Sequence, residues 1–166
     1  KIFCNVALAV GLCSDLLVEV CRKYHYRLLH VGSIINMDFP IDANMHHVAS
    51  VDQSLLIEYY KQAKVFVLPS RSEGLALVQA QALACGLPIV CSKDTGGRDL
   101  RDFLDDKRWI IEMRELTVDE LNRCIKEALG LSEMQRREER NYALKAIDSF
   151  TWESYGIRYA KFIQNI

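Results

Sequence analysis

The sequence predicts an α/β fold, a parallel sheet with helices on both faces. Short apolar runs alternate along the chain with longer amphipathic ones, which is the order of βαβ units. Several short runs, Val65-Phe-Val-Leu68 above all, are apolar at every position, as strands buried on both sides must be. The segments that follow the expected strands are rich in small or polar residues, as at Gly11–Asp15, Gly32–Asn36, Ser50–Asp52, Pro69–Ala76 and Ser92–Gly97. In an open parallel sheet ligands bind at those carboxyl ends.

The elements follow in order. Asn5 to Val10 reads as a buried strand ending at Gly11, Asp15 to Lys23 as a helix, and Tyr26 to Val31 as a second strand ending at Gly32. His47 to Val51 reads as the third. Ser50-x-x-Gln53 then has the form of a capping box, ahead of a helix with Leu55, Leu56, Tyr59, Tyr60 and Ala63 on one face. Val65 to Leu68 is the clearest strand, closed by Pro69. Leu75 to Cys85 is a helix of small residues, stopped by Gly86 with Pro88 just beyond. Ile89 to Cys91 and Trp109 to Ile111 are the remaining strands. Thr117-x-x-Glu120 is a second capping box, before Leu121, Ile125, Ala128 and Leu129, and two further helices fit Ser132–Ile147 and Trp152–Ile163. Right-handed crossovers place the helices on both faces of this Rossmann-like sheet. No repeat or linker interrupts it, so residues 1–166 read as one domain, loosest between Ser33 and Met45.

Composition narrows the function. Of 166 residues, 50% are apolar and 26% charged, which excludes disordered and fibrous classes. A net charge of −1 gives no general attraction to nucleic acid or an anionic membrane. No apolar run approaches the roughly 20 residues of a membrane span. The cysteines, Cys4, Cys13, Cys21, Cys85, Cys91 and Cys124, form no C-x-x-C pair and read as reduced core thiols. His46 and His47 are adjacent and have no ligand partner at zinc-like spacing, and His25 and His30 flank an expected strand, so no metal site is expected.

The chemistry concentrates in the run from Val65 to Val90. A strand delivers Glu73 and Gly74 to the mouth of the sheet and a helix begins near Leu75. The first turn of a helix carries unpaired N–H groups at the positive end of its dipole. With Gly74 beside it, that turn is open to a phosphate or diphosphate. Glu73 can accept hydrogen bonds from hydroxyls. Gln81, eight residues on, lies roughly 12 Å further along a helix, about the separation of a hexose and a ribose joined through a diphosphate. The same residues also fit a plain helix cap and a polar side chain between helices.

This stretch resembles the signature of the retaining, nucleotide-sugar-dependent glycosyltransferases of family 4, the glycosyl transferases group 1, which have the GT-B fold. The matching residues are Pro69-Ser70, Ser72-Glu73-Gly74, Ala82-Leu83-Ala84-Cys85-Gly86-Leu87-Pro88-Ile89-Val90 and Gly96-Gly97. The helix Leu55–Ala63 and the closing Phe150-Thr151-Trp152-Glu153, with Tyr155 and Tyr159, extend the likeness to both flanks. The resemblance implies the carboxyl-terminal, donor-binding half of such an enzyme, with the amino-terminal acceptor domain absent from this chain. The start at Lys1, directly before a strand, suits a domain taken from a longer protein.

The resemblance also implies roles. Glu73 holds donor-sugar hydroxyls as the catalytic residue. The backbone of Gly74, Leu75, Ala76 and Leu77 meets the diphosphate, Gln81 the ribose, and Ser50 and Val51 lie near the nucleobase. The donor is a UDP- or GDP-linked sugar, a substrate rather than a cofactor, and no cofactor or metal is implied. Nor does any Asp-x-Asp triplet occur. Polysaccharide biosynthesis in the cytoplasm, peripheral to the inner face of a membrane through the missing half, is the family-level setting. Three residues depart from the pattern. Gln81 replaces a second glutamate and keeps an acceptor oxygen without the charge. Ala76 stands where glycine is usual. The family's basic pair after the first strand has no counterpart in Gly11-Leu12-Cys13-Ser14-Asp15. The alternatives are a non-catalytic nucleotide-sugar-binding or scaffold module with a decayed site, and a GT-B sugar-nucleotide epimerase. A dinucleotide-dependent dehydrogenase is disfavoured because no G-x-G-x-x-G follows the first strand.

Overall fold

The computed structural model describes residues 5–8, 14–34, 38–40, 42–71, 77–102, 104, 106–138 and 152–164. Six parallel strands form one sheet: β1 (Asn5–Leu8), β2 (Arg27–Val31), β3 (Met45–Val48), β4 (Val65–Leu68), β5 (Ile89–Cys91) and β6 (Ile110–Glu112), in the order β3-β2-β1-β4-β5-β6. The helices are α1 (Ser14–Tyr24), α2 (Leu56–Tyr60), α3 (Leu77–Ala84), α4 (Gly97–Arg101), α5 (Val118–Glu138) and α6 (Trp152–Gln164). The expected α/β class and parallel sheet are therefore observed. Strand order runs one way from β1 to β3 and the other way from β4 to β6. Right-handed crossovers consequently put α1 on one face and α2, α3 and α4 on the other.

The core is built on the central strands. Val65, Phe66, Val67 and Leu68 have no exposed surface, nor have Ile89, Val90 and Cys91 of β5. Burying a side chain of this size contributes about 1.5–3 kcal/mol, so this small region holds the sheet together. α5 closes one face. Its apolar stripe of Leu121, Cys124, Ile125 and Ala128 is fully buried, and it packs across β4, β5 and β6 and against α1. α1 answers with Leu17, Val18, Val20 and Cys21. At their junction Tyr26 Oη donates a buried hydrogen bond of 2.7 Å to Asn122 Oδ1.

α3 ends as its sequence predicts. Gly86 N–H donates to the Leu83 carbonyl (2.8 Å) and Leu87 N–H to that of Ala82 (3.0 Å). Gly86 has φ 77°, the left-handed conformation this closure requires and glycine adopts without strain. α5 begins as predicted too. Thr117 Oγ1 accepts from Glu120 N–H at 3.3 Å. The other half of that capping box is redirected: the Glu120 carboxylate accepts from Arg114 N–H (3.0 Å) and pairs with Arg123 (2.7 Å).

Several expectations are corrected. The third strand is Met45–Val48, not His47–Val51. Its register is set by pairing with Leu28–Val31 and by Met45, which is buried, whereas the exposed His46 and His47 mask the pattern at a sheet edge. Ser50 caps nothing. Asp52 is the capping residue, its carboxylate accepting from Ser54 N–H at 2.8 Å and opening a 3-10 turn, Gln53–Leu55, before α2. Leu55 leaves the expected apolar face and is exposed, while Tyr60 is the buried member of that set. Trp109 closes a 3-10 turn, Lys107–Trp109, one residue ahead of β6. α4 was not expected at all; its five residues give no periodicity to read.

The expected break before Ser132 does not occur either. α5 runs on for 21 residues to Glu138, because Leu131 keeps the buried stripe in phase. Residues 139–147 of the expected Ser132–Ile147 helix lie outside the described residues, as do Ala9–Val10 of the first strand and Leu75–Ala76 of the third helix. Gly130 sits exposed inside α5 with no heavy atom within 4 Å of where a Cβ would stand. Gly130→Ala should therefore stabilise the chain by about 0.5–1 kcal/mol. A thermal melt should show the midpoint rising by roughly 1–4 °C.

Candidate functional site

The strand order reverses between β1 and β4, and the chain leaves the carboxyl ends of these two neighbours in opposite directions. A doubly wound sheet opens a crevice at this point. The segments leaving it are residues 9–13, toward α1, and residues 69–76, toward α3. The sequence-predicted Glu73, Gly74, Leu75 and Ala76 belong to the second and lie outside the described residues. Pro69, Ser70 and Arg71 before them, and Leu77 after them, are described. Leu77, the first residue of α3, is 68% exposed. Arg71 Nη2 reaches Asp15 Oδ2 in the first turn of α1 at 3.3 Å, so an ion pair spans the reversal point. Sequence reasoning passed over this arginine because it counted positive charge only along the first loop.

The remaining predicted positions are distributed as follows. Ser50 and Val51 follow β3. Ser50 is exposed, and its Oγ lies 3.1 Å from Oγ of Ser33, which follows β2. The two hydroxyls thus meet at the carboxyl ends of adjacent strands, a pairing that only the register reveals. Gln81 is half-buried on α3, and its Oε1 accepts from Tyr60 Oη of α2 at 3.4 Å. The Tyr60 hydroxyl also reaches the Val78 carbonyl at 3.4 Å, and burial pushes its pKa up to about 12, so it remains a donor. Gln81 therefore touches the neighbouring helix, the interhelical position that its polarity also allowed.

Behind the crevice lies a set of buried polar side chains that the sequence did not single out. Ser92 Oγ donates to the Ser70 carbonyl, Thr95 Oγ1 to the Ser92 carbonyl (2.8 Å), and Gln79 Nε2 to the Thr95 carbonyl (2.5 Å). Gly96 has φ 68°, and Gly97 begins α4 so close to β5 that a Cβ there would overlap Cys91 Sγ. The Gly-Gly pair is thus required by a left-handed turn and a close approach.

Two histidines form a pair that the sequence did not single out. His30 and His47 are register partners on β2 and β3, and their Nδ1 atoms are 2.9 Å apart, with Phe39 against both rings. His30 is fully buried. Burial, and then the neighbouring His47, lower its pKa to about 4. Among the described residues no group of three or more His, Cys, Asp or Glu is placed to hold a metal ion. Cys21, Cys91 and Cys124 are buried and Cys85 is half-buried, in line with core packing; Cys4 and Cys13 lie outside the described residues. A groove of about 450 Å³ runs along β6 at the opposite sheet edge. Its acids are already paired, Glu112 with Arg98, Asp102 with Lys107 and Glu127 with Arg123.

The sequence profile of the family described as "Glycosyl transferases group 1" matches residues 38–145, more than half of the chain. The chain belongs to this family. A D-inositol 3-phosphate glycosyltransferase of Geodermatophilus obscurus is 35% identical over 81 residues, covering 40% of this chain and 18% of the relative. The fold is that of solved GT-B glycosyltransferases. WaaG, a glycosyltransferase involved in lipopolysaccharide biosynthesis, superposes with a TM-score of 0.65 at 19% identity, over 93% of this chain and 45% of that one. The catalytic domain of starch synthase IV from Arabidopsis thaliana, bound to ADP and acarbose, gives 0.65 at 16% identity, over 97% and 38%. The chain therefore spans less than half the length of these relatives.

The His30 environment makes stability depend on pH. Its folded pKa lies below the ordinary 6.5, so the unfolded chain binds the proton more readily. The stabilisation is complete above about pH 6.5 and declines as pH falls toward 4. His30→Phe should remove this part of the slope. Urea unfolding at pH 7 and pH 5 should show a smaller loss for the variant than for the wild type.

Proposed function

We propose that this chain is the donor-binding half of a glycosyltransferase that moves a sugar from a UDP- or GDP-linked donor to a glycan or lipid-linked acceptor with retention. One observation carries the reading. The family signature Glu73-Gly74 leaves β4 at the strand-order reversal and leads directly into α3. In this reading Glu73 accepts hydrogen bonds from the sugar hydroxyls. The N–H groups of Gly74, Leu75, Ala76 and Leu77 face the diphosphate with the positive end of the α3 dipole behind them. Gln81 serves the ribose, and Ser50 and Val51 border the nucleobase.

The reaction breaks the bond between the anomeric carbon and the β-phosphate oxygen and forms one to an acceptor hydroxyl oxygen. The hydroxyl proton passes to the departing diphosphate, whose developing charge the α3 amides stabilise. No metal or cofactor takes part. An amino-terminal domain of the longer protein holds the acceptor and closes the cleft. No described helix is long and apolar enough to cross a membrane. The proposed setting is the cytoplasmic face, with any membrane contact made by the other half.

A non-catalytic nucleotide-sugar-binding module is the second reading. It is favoured by Gln81, which touches Tyr60 where the family carries a glutamate, and by a first loop without basic residues.

Titration of this chain with UDP or GDP, followed by amide NMR, should give shifts at Gly74–Leu77 and around Ser50. Dissociation constants should lie in the millimolar range, near −4 kcal/mol, since half a cleft leaves the phosphates facing water. Submicromolar affinity, or shifts confined elsewhere, would contradict the assignment. In the longer protein Glu73→Ala should lower transfer at least about tenfold with an unchanged melt, because a hydrogen bond to a charged group contributes about 1.5–3 kcal/mol. Unchanged transfer would favour the non-catalytic module.

Gln81→Glu separates the two positions open to Gln81. If the side chain serves the ribose, a charged acceptor tightens nucleotide binding. If it is purely interhelical, the variant melts at lower temperature with no change in affinity, since a half-buried charge is left without a cation.

A further inference from the structure

The polar chain behind the crevice is sealed from water. Ser70, Thr95 and Gln79 are 0% exposed and Ser92 is 3% exposed. Its three hydrogen bonds run from Ser70, just after β4, through the turn after β5 (Ser92 and Thr95), to Gln79, the third residue of α3. Gln79 is the member that carries the connection onto α3. Its amide is oriented by its partner, because the Thr95 carbonyl demands an N–H donor. That leaves Oε1 buried with no hydrogen-bond partner among the described residues. An orphaned buried acceptor lowers stability, and a methionine would fill the same space without that cost.

The same oxygen lies against the Gly96-Gly97 turn: a Cβ on Gly97 would stand 3.0 Å from it. Residues 72–76 are therefore bracketed in sequence by Ser70 and Gln79, two ends of one buried network, and the Gly-Gly turn is clamped to its middle.

We propose that Gln79 is a positioning residue for the donor site. It locks the turn after β5 onto α3, so that the Gly96-Gly97 turn is held in one fixed position against the first turn of α3, Leu77–Ala80, at the donor site. Holding such groups in place before binding removes an ordering cost that the ligand would otherwise bear. This inference rests on the reading of the crevice as a nucleotide-sugar site.

The test compares wild type with Gln79→Met, which keeps length and apolar packing but cannot donate. Three quantities are measured on the same chain: the thermal midpoint, amide hydrogen exchange of Thr95–Gly97, and the dissociation constants for UDP and GDP. Gln79→Met should keep the wild-type midpoint within about 3 °C. Exchange at Thr95–Gly97 should become about tenfold faster through local opening, and affinity should fall at least about fivefold. Faster exchange with unchanged affinity would mean that the bond is only structural and would overturn the role. Unchanged exchange would overturn it as well. A wild-type chain that binds neither nucleotide sinks the donor reading and the positioning role with it, whereas wild-type binding that survives in the variant removes the positioning role alone. If Gln79→Met does not fold, Thr95→Val cuts the same network one link earlier, at the bond to the Ser92 carbonyl, and is judged by the same outcomes.

Discussion

Four residues of β4 with no exposed surface impose the main constraint on this molecule. A strand buried on both sides needs a layer over each face, and parallel neighbours need crossovers of one hand. α1 and α5 cover one side, and α2, α3 and α4 belong to the other. The sheet must then grow in opposite directions from the β1–β4 pair, and it is the segment of chain after β4, at that reversal, that carries the family signature in its sequence. Site and core are thus consequences of one packing requirement.

The polar features near the crevice are ordered by depth. At the mouth, the Arg71–Asp15 pair is more than half exposed at both side chains, and pairs of that kind contribute little to stability. Half-buried Gln81 joins α3 to α2 through Tyr60. At the base, Ser70, Ser92, Thr95 and Gln79 are sealed off, where each unmade hydrogen bond would be costly.

The paired histidines on β2 and β3 illustrate a second use of burial. His30 is held neutral because its surroundings disfavour charge, and His47 lies beside it at an exposed sheet edge. Their contact follows from parallel register. The two lie 17 positions apart in the chain, and the sequence between them gives no hint of it.

Local chemistry was legible wherever the signal lay within a few residues. The uniformly apolar β4 and β5, the glycine that ends α3 and the threonine that opens α5 were all readable from the chain, as was the family signature around Glu73. Their cause acts at short range, through periodicity, φ preference or a side chain bonding to a nearby amide. Elements that depend on distant partners were not legible. Met45–Val48 is a strand because β2 pairs with it, α5 continues past Gly130 because Leu131 finds the core, and Gln79 is a clamp because Thr95 arrives from β5. The sequence alone determined the parallel α/β class and the family. The tertiary structure decided which polar groups meet, since register and crossover geometry bring together residues that no local rule relates.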